Sequence, residues 1–364
     1  MAYTTIDDPS AHFQTLLYTG DSNSPRDLVN DGNSDLQPDF VWVKGRSHTD
    51  IHLAYDSSRG GGKFLRPATS GLENTGNYGV TAFNTDGFRT NAYAYTNENT
   101  HTYAAWQWKV NGGTTSSNTD GNITTTVQTN STAGISIGTY TGNASGSATI
   151  GHGLGAIPDL FMIKGRNGSG LGGAAQYWVV GAPNHATFTN SASKHVFLDT
   201  SNAIMNNTTI WRNAAFTSSI APMGGHAAIN GNGATYVFYA FKNIQGFSKI
   251  GHYVGNGNSN GPFVFTGFKP AWVLIKNLDA SQVWIMYDGA RKPLNRDDNV
   301  ASLYASEDNA EYTGASYHNL DILSNGFKIR LTDASQNGSG VNYLYIAFAE
   351  NPFVTSTGVP TTAR

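Results

Sequence analysis

The segment Gly151-His152-Gly153-Leu154-Gly155 has the composition of a loop that cradles phosphate. Such a loop works only when a helix follows, because the free N–H groups of its first turn must face the anion. Pro158 and an apolar strand pattern follow instead, so a turn is expected here. Asp333, Ser335, Asn337 and Gly338 imitate the first half of a calcium-binding EF-hand loop. The place of its bidentate glutamate holds Leu344 and no flanking helices are expected, which leaves a hairpin turn as the reading. Asp297 and Asp298 form an acidic cluster read as a solvated loop, with a weak calcium site as the alternative.

The ten histidines form no His-Glu-x-x-His motif. His48, His52, His101 and His318 sit beside polar loop residues, and scattered surface or strand histidines are expected. No Gly-x-Ser-x-Gly elbow occurs, and a chain without cysteine has no thiol nucleophile. Asp56 with Arg59, and Asp288 with Arg291, follow apolar strands at one spacing, so the arginine can fork back onto the carboxylate and tie a turn. Trp42, Trp106, Trp108, Trp178, Trp272 and Trp284 could stack on sugars, but they lie in strand patterns where alternate residues face a core. No catalytic, cofactor-binding or metal-binding residue is assigned, no cofactor is expected, and the ligand-binding residues stay unknown.

These residues must be positioned by strands. Of the 364 residues only 13% are charged, against roughly 25% in ordinary domains, while the chain carries 42 Gly, 18 Tyr and 18 Phe. Helix formers are scarce and turn and strand formers plentiful, so the chain is expected to be all-β. With a net charge of −3 and no basic run, nucleic acid is not an expected partner. Met1 to Tyr18 lacks the pattern of a signal peptide, and no apolar run reaches the roughly 18–20 residues of a membrane span.

The strands recur as three copies of one pattern. Each copy opens on Tyr-x-Gly, at Tyr18-Thr19-Gly20, Tyr140-Thr141-Gly142 and Tyr253-Val254-Gly255. Each continues with a proline-led apolar strand ending in lysine, Pro38 to Lys44, Pro158 to Lys164 and Pro270 to Lys276. Asp86-Gly87-Phe88 and Asn325-Gly326-Phe327 mark a turn and strand in copies one and three, and aromatic strands close all three at Tyr103–Lys109, Tyr236–Lys242 and Tyr343–Ala349. Copy two lacks the Asp/Arg pair and inserts a loop at Gly168 to Gly173. The spacing predicts three tandem antiparallel β-sandwiches, of jelly-roll or concanavalin-like type, over 1–110, 135–246 and 247–355. Residues 111–134, rich in Gly, Thr, Ser and Asn, read as a flexible linker, with an edge strand near Ile123 and Val127 as an option, and 356–364 as a C-terminal tail. Asp8-Pro9 reads as the cap of a single helical turn.

The opening from Met1 to Gly20, Lys-Gly-Arg at 44–46 and 164–166, the glycine-rich segment before Pro158, and the ending from Asn325 to Glu350 resemble a repeated domain family of virion proteins in marine tailed phages. The resemblance implies a non-enzymatic structural or attachment component of a virion, a fibre, tail-associated or head-decoration protein, assembled in the host cytoplasm. Its partners would be other virion proteins and copies of itself. A carbohydrate-binding receptor module that engages host surface glycans, and a polysaccharide depolymerase, remain as alternatives.

Overall fold

In a computed structural model, which describes residues 3–171, 176–189, 193–292, 295, 301–314 and 319–361, the chain is mostly β and its sheets are antiparallel. Three sheets repeat one strand order. In copy one the opening strand Phe13–Thr19 pairs with the closing strand Thr102–Trp108, which pairs with the proline-led strand Phe40–Gly45 and then Leu53–Asp56. Copy two arranges Ile135–Thr141, Thr235–Phe241, Leu160–Asn167 and Val179–Gly181 in the same way. Copy three does so with Ser248–Val254, Asn342–Pro352, Phe268–Asn277 and Trp284–Asp288. The register repeats too: Phe40, Leu160 and Trp272 lie opposite Trp108, Phe241 and Phe348.

The Tyr-x-Gly signature has one physical cause in all three copies. Tyr18, Tyr140 and Tyr253 stack on Tyr103, Tyr236 and Tyr343 at ring-centroid distances of 5.1, 5.0 and 4.9 Å. Each opening tyrosine donates to a carbonyl of a four-residue helix, Ala94–Asn97, Ala227–Asn230 or Ala334–Asn337. The chain passes so close to the end of that helix that a Cβ on Gly20, Gly142 or Gly255 would stand 2.0, 2.4 or 2.3 Å from a backbone oxygen. The expected hairpin at Asp333 to Gly338 is therefore a helical turn, because the Asp333 carboxylate caps the Ser335 N–H at 2.8 Å. Asp8 caps Pro9–Ala11 as its sequence suggests.

Each main sheet has two buried faces. In copy one, Tyr18, Val41, Tyr55 and Tyr103 meet Leu28, Val80 and Phe88 of a three-stranded sheet. In copy two, Phe161, Ile163 and Phe238 meet Ala148, Ile150, Ala221 and Met223. The opposite faces share one core, in which Trp108, Trp272, Phe241 and Phe348 join residues of all three copies. This overturns the flexible linker. Ser116–Asn118 and Thr125–Asn130 are strands that extend the sheet of copy two, with Ile123, Thr125 and Val127 buried at a period of two. Asp39 accepts from the N–H groups of Val110, Gly112 and Gly113 at 2.6, 2.9 and 2.7 Å, which fixes the start of the segment. Pro270 also departs from expectation: it lies inside its strand, at a register irregularity where no ladder donor is needed.

Candidate functional site: the junctions between copies

The Asp/Arg pairs do tie turns, and they also join copies. Arg59 meets Asp56 through Nε to Oδ2 at 2.5 Å and backbone N–H to Oδ1 at 2.8 Å; Arg291 meets Asp288 at the same two distances. All four side chains are fully buried. Tyr239 of copy two donates to Asp56 at 2.6 Å, and the Trp106 indole of copy one donates to Asp288 at 2.9 Å. On the other side of each arginine stands a glutamate not singled out from sequence. Glu73 takes Arg59 at 3.0 Å and the forked guanidinium of Arg166 at 2.8 and 3.0 Å. Glu311 takes Arg291 at 3.0 Å and the fork of Arg46 at 2.9 Å through both nitrogens. Burial opposes both glutamate charges, but the arginines outweigh it and hold the carboxyls below their ordinary range.

Every copy is thus joined to the next, and the third back to the first. The Glu73 N–H donates to the Arg166 carbonyl at 3.1 Å, Ile204 to Leu278 at 2.8 Å and Glu311 to Arg46 at 2.8 Å. The strand-end lysines cross the same junctions. Lys164 donates to the Thr69 carbonyl at 2.9 Å, Lys276 to Ser201 at 2.8 Å and Lys44 to Asp308 at 3.2 Å. Burial lowers these lysines, to about 8 for Lys44 and Lys164 and about 7 for Lys276. Beside them the Trp178 indole donates to the Arg66 carbonyl at 2.9 Å, the Trp284 indole to Phe197 at 2.8 Å, and His52 Nε2 to Tyr304 at 3.0 Å. His52 is therefore no surface histidine: it is wholly buried, takes the Trp42 indole on Nδ1 at 2.9 Å, and is held well below its ordinary pKa by burial and then by Lys44.

The junction of copies two and three replaces charge with apolar residues. Ala182, Ile204, Leu278 and Ile346 occupy the places that Asp56, Glu73, Arg166 and Tyr239 hold at the junction of copies one and two. The arginine's place falls to His185. Its Nδ1 accepts the Thr187 N–H at 3.2 Å, so its proton sits on Nε2 and is donated to His252 Nδ1 at 2.7 Å. Burial, then the charge of His252, lowers His185 to about 4.

The remaining sequence candidates separate. The glycine-rich segment leads out of a strand into a turn, with Gly153 and Gly155 left-handed and His152 buried. The six tryptophans named as sugar platforms are all buried, and Trp211, which was not named, joins them. His48 packs against His101, with ring centroids 3.7 Å apart and planes tilted by 35°, and meets Asp50 at 2.8 Å. Asp297, Asp298 and His318 lie outside the described residues. Among the described residues no cluster of three or more metal-ligating side chains occurs, and no helix is long and apolar enough to cross a membrane. One cavity of about 420 Å³ between copies one and three contains Asp31 and Glu350, the latter held by Lys269 at 2.7 Å. A family model described as a domain of unknown function (DUF7483) matches residues 8–352, across all three copies. No curated protein and no solved structure matches the chain.

Proposed function

Since the chain belongs to the DUF7483 family, whose function is unassigned, we propose from its own residues that it is a non-enzymatic structural or attachment component of a tailed-phage virion. In this reading each copy is a β-sandwich, and three sandwiches interlock into one rigid body that presents its outer surfaces to other virion proteins and to further copies of itself. One observation carries the reading. The paired ionisable groups, from Asp56 and Arg59 to Asp288 and Arg291, are buried and engage groups of the same chain. Carboxylates arranged in this way hold elements together and have no access to a substrate. The test is to strip purified particles gently and follow the chain by mass spectrometry. The proposal expects it in stoichiometric amount on the particle; recovery only as free protein in the lysate refutes it and favours the depolymerase.

The glycan-binding alternative rests on a different observation. Phe263 and Phe265 are 45% and 56% exposed on the short strand Phe263–Phe265, at the edge of its sheet. A glycan array probed with the full chain and with Phe265→Ala separates the two readings: saturable binding lost in the variant supports the receptor module.

A further inference from the structure

Copy two differs from its neighbours by subtraction. The strand after the proline-led one ends Tyr55-Asp56 in copy one and Tyr287-Asp288 in copy three, where copy two has Gly181 at the strand end followed by Ala182, and the register pairs Val41 with Tyr55, Val273 with Tyr287 and Phe161 with Gly181. Losing a tyrosine ring at a buried strand position opens space, and a protein interior ordinarily refills such space. Here it is refilled only in part. Trp211, on the short helix Thr208–Trp211, lies over Gly181 so closely that a Cβ there would stand 3.2 Å from its ring. Beside it remains a cavity of about 270 Å³, lined mainly by Ile157, Ala182, Phe188, Trp211, Ala215 and Phe216.

Three further features distinguish this cavity from a packing defect. The Trp211 side chain is 1% exposed, yet its indole N–H has no hydrogen-bond partner. An unmet buried donor costs roughly 1–3 kcal/mol, a cost that a well-packed interior ordinarily avoids. Between the lining residues Trp211 and Ala214 the chain passes through Arg212 and Asn213, two successive non-glycine residues with φ of 43° and 51°. Left-handed backbone of this kind is retained where surrounding contacts or a function require it. The mouth is open, with Ile157 40% exposed, and among the described residues of the lining the charged one is Lys194, whose ammonium donates to the Thr187 carbonyl at 2.9 Å.

We propose that this cavity binds a small apolar anion, an aromatic or short acyl carboxylate, with its apolar body against Phe188, Trp211 and Phe216 and its carboxylate at Lys194. The volume sets the size at ~10–15 non-hydrogen atoms, below the roughly 300–1,000 Å³ of drug-sized sites. The site lies on copy two alone and is independent of the virion reading.

The probe is 2-naphthoate, titrated into the full chain and followed by its fluorescence anisotropy, with 2-naphthalenemethanol as the neutral twin. One saturable site for naphthoate is expected. Lys194→Met should weaken naphthoate by about tenfold or more, the scale of one charge-assisted hydrogen bond, and leave the alcohol unchanged. Ala215→Trp, at an exposed position of the wall, should abolish binding of both; Ile157→Trp at the opposite rim serves if the first variant does not melt like the parent. Absence of saturable binding by the parent overturns the proposal, as does parent-like binding by either folded tryptophan variant. Equal affinity for acid and alcohol, insensitive to Lys194→Met, overturns the choice of an anion.

Discussion

Asp56 and Arg59 show how far a pair of residues can be read without its neighbours. Their spacing indicated a turn, and the turn is there, but the spacing carries no information about Tyr239, which lies 183 residues away. The distribution of motifs did carry that information. Lys-Gly-Arg occurs in copies one and two, and the Asp/Arg pair in copies one and three. If each junction takes the Asp/Arg pair from one copy and the Lys-Gly-Arg arginine from the next, two junctions are charged and the third has neither half. That is the arrangement found, so the apparent decay of copy two is a consistent substitution across an interface. Asp56→Ala should then cost about 3–5 kcal/mol, because it leaves the Arg59 charge buried without its main partner. Copying the apolar junction by combining Asp56→Ala, Arg59→His, Glu73→Ile, Arg166→Leu and Tyr239→Ile should recover most of that loss in urea denaturation. A quintuple variant no more stable than Asp56→Ala would mean that the junctions are not interchangeable. The histidine junction has its own pH dependence. His185 is lowered from its ordinary value to about 4, so the unfolded chain binds the proton first. Its contribution is complete above the unfolded pKa of about 6.5 and is lost as pH falls toward 4. Charged groups nearby are few: Asp159 and Lys249 line the same cleft, and Asp159 is already occupied by Asn184 and the Asn243 N–H. Urea midpoints measured from pH 7 to 4 should fall below about pH 6.5 in the parent, and less steeply in His185→Leu, where the remaining fall comes from His52, His152 and His195, which burial lowers in the same way.

At the scale of elements, what was legible followed period and steric exclusion. The proline-led strands were visible because they are continuous apolar runs, and they stand at the register their spacing implied. The four-residue helices were invisible, since four residues give no period to detect. Their trace in sequence was indirect: a glycine two residues after a tyrosine, required by a carbonyl that belongs to an element some 80 residues further on in copies one and three. The linker reading of 111–134 was wrong because threonine and asparagine lower its hydropathy, while the alternation that offered a strand near Ile123 and Val127 was the stronger signal, with Ile123, Thr125 and Val127 buried. The glycine argument has a direct test. Gly142→Ala places a methyl group 2.4 Å from the Gly231 oxygen, so strand and helix must separate. A loss of roughly 1–3 kcal/mol is expected, as for other overpacked sites, and calorimetry of Gly142→Ala beside Gly146→Ala, which has open space, would measure it. Equal melting of the two variants would remove the steric account of Tyr-x-Gly.

For the whole molecule, the sequence correctly suggested repetition but left open what repetition was for. Three copies joined in line would need two junctions, whereas this chain has three, because Glu311 and Asp308 of the last copy bond to Arg46 and Lys44 of the first. Closure has an energetic reason. A β-sheet whose faces are both apolar needs a cover on each side, and copy one supplies only one from its own residues. Its other face carries Phe40, Trp42, Trp106 and Trp108, each 3% exposed or less in the closed arrangement because copies two and three cover them. Removing those copies would return four large aromatic rings to water, at roughly 1.5–3 kcal/mol for each, and would strand Asp56 without Tyr239. Losses of that order are comparable to the whole stability of a domain of about 100 residues. The expectation is that residues 1–110 made alone give no cooperative thermal transition, and that the full chain melts in one step with near- and far-ultraviolet circular dichroism coinciding. If 1–110 instead melts cooperatively near the temperature of the full chain, the copies are independent domains. The shared core would then be a contact between finished units, and the rigidity that the proposed structural role requires would have no source within the chain.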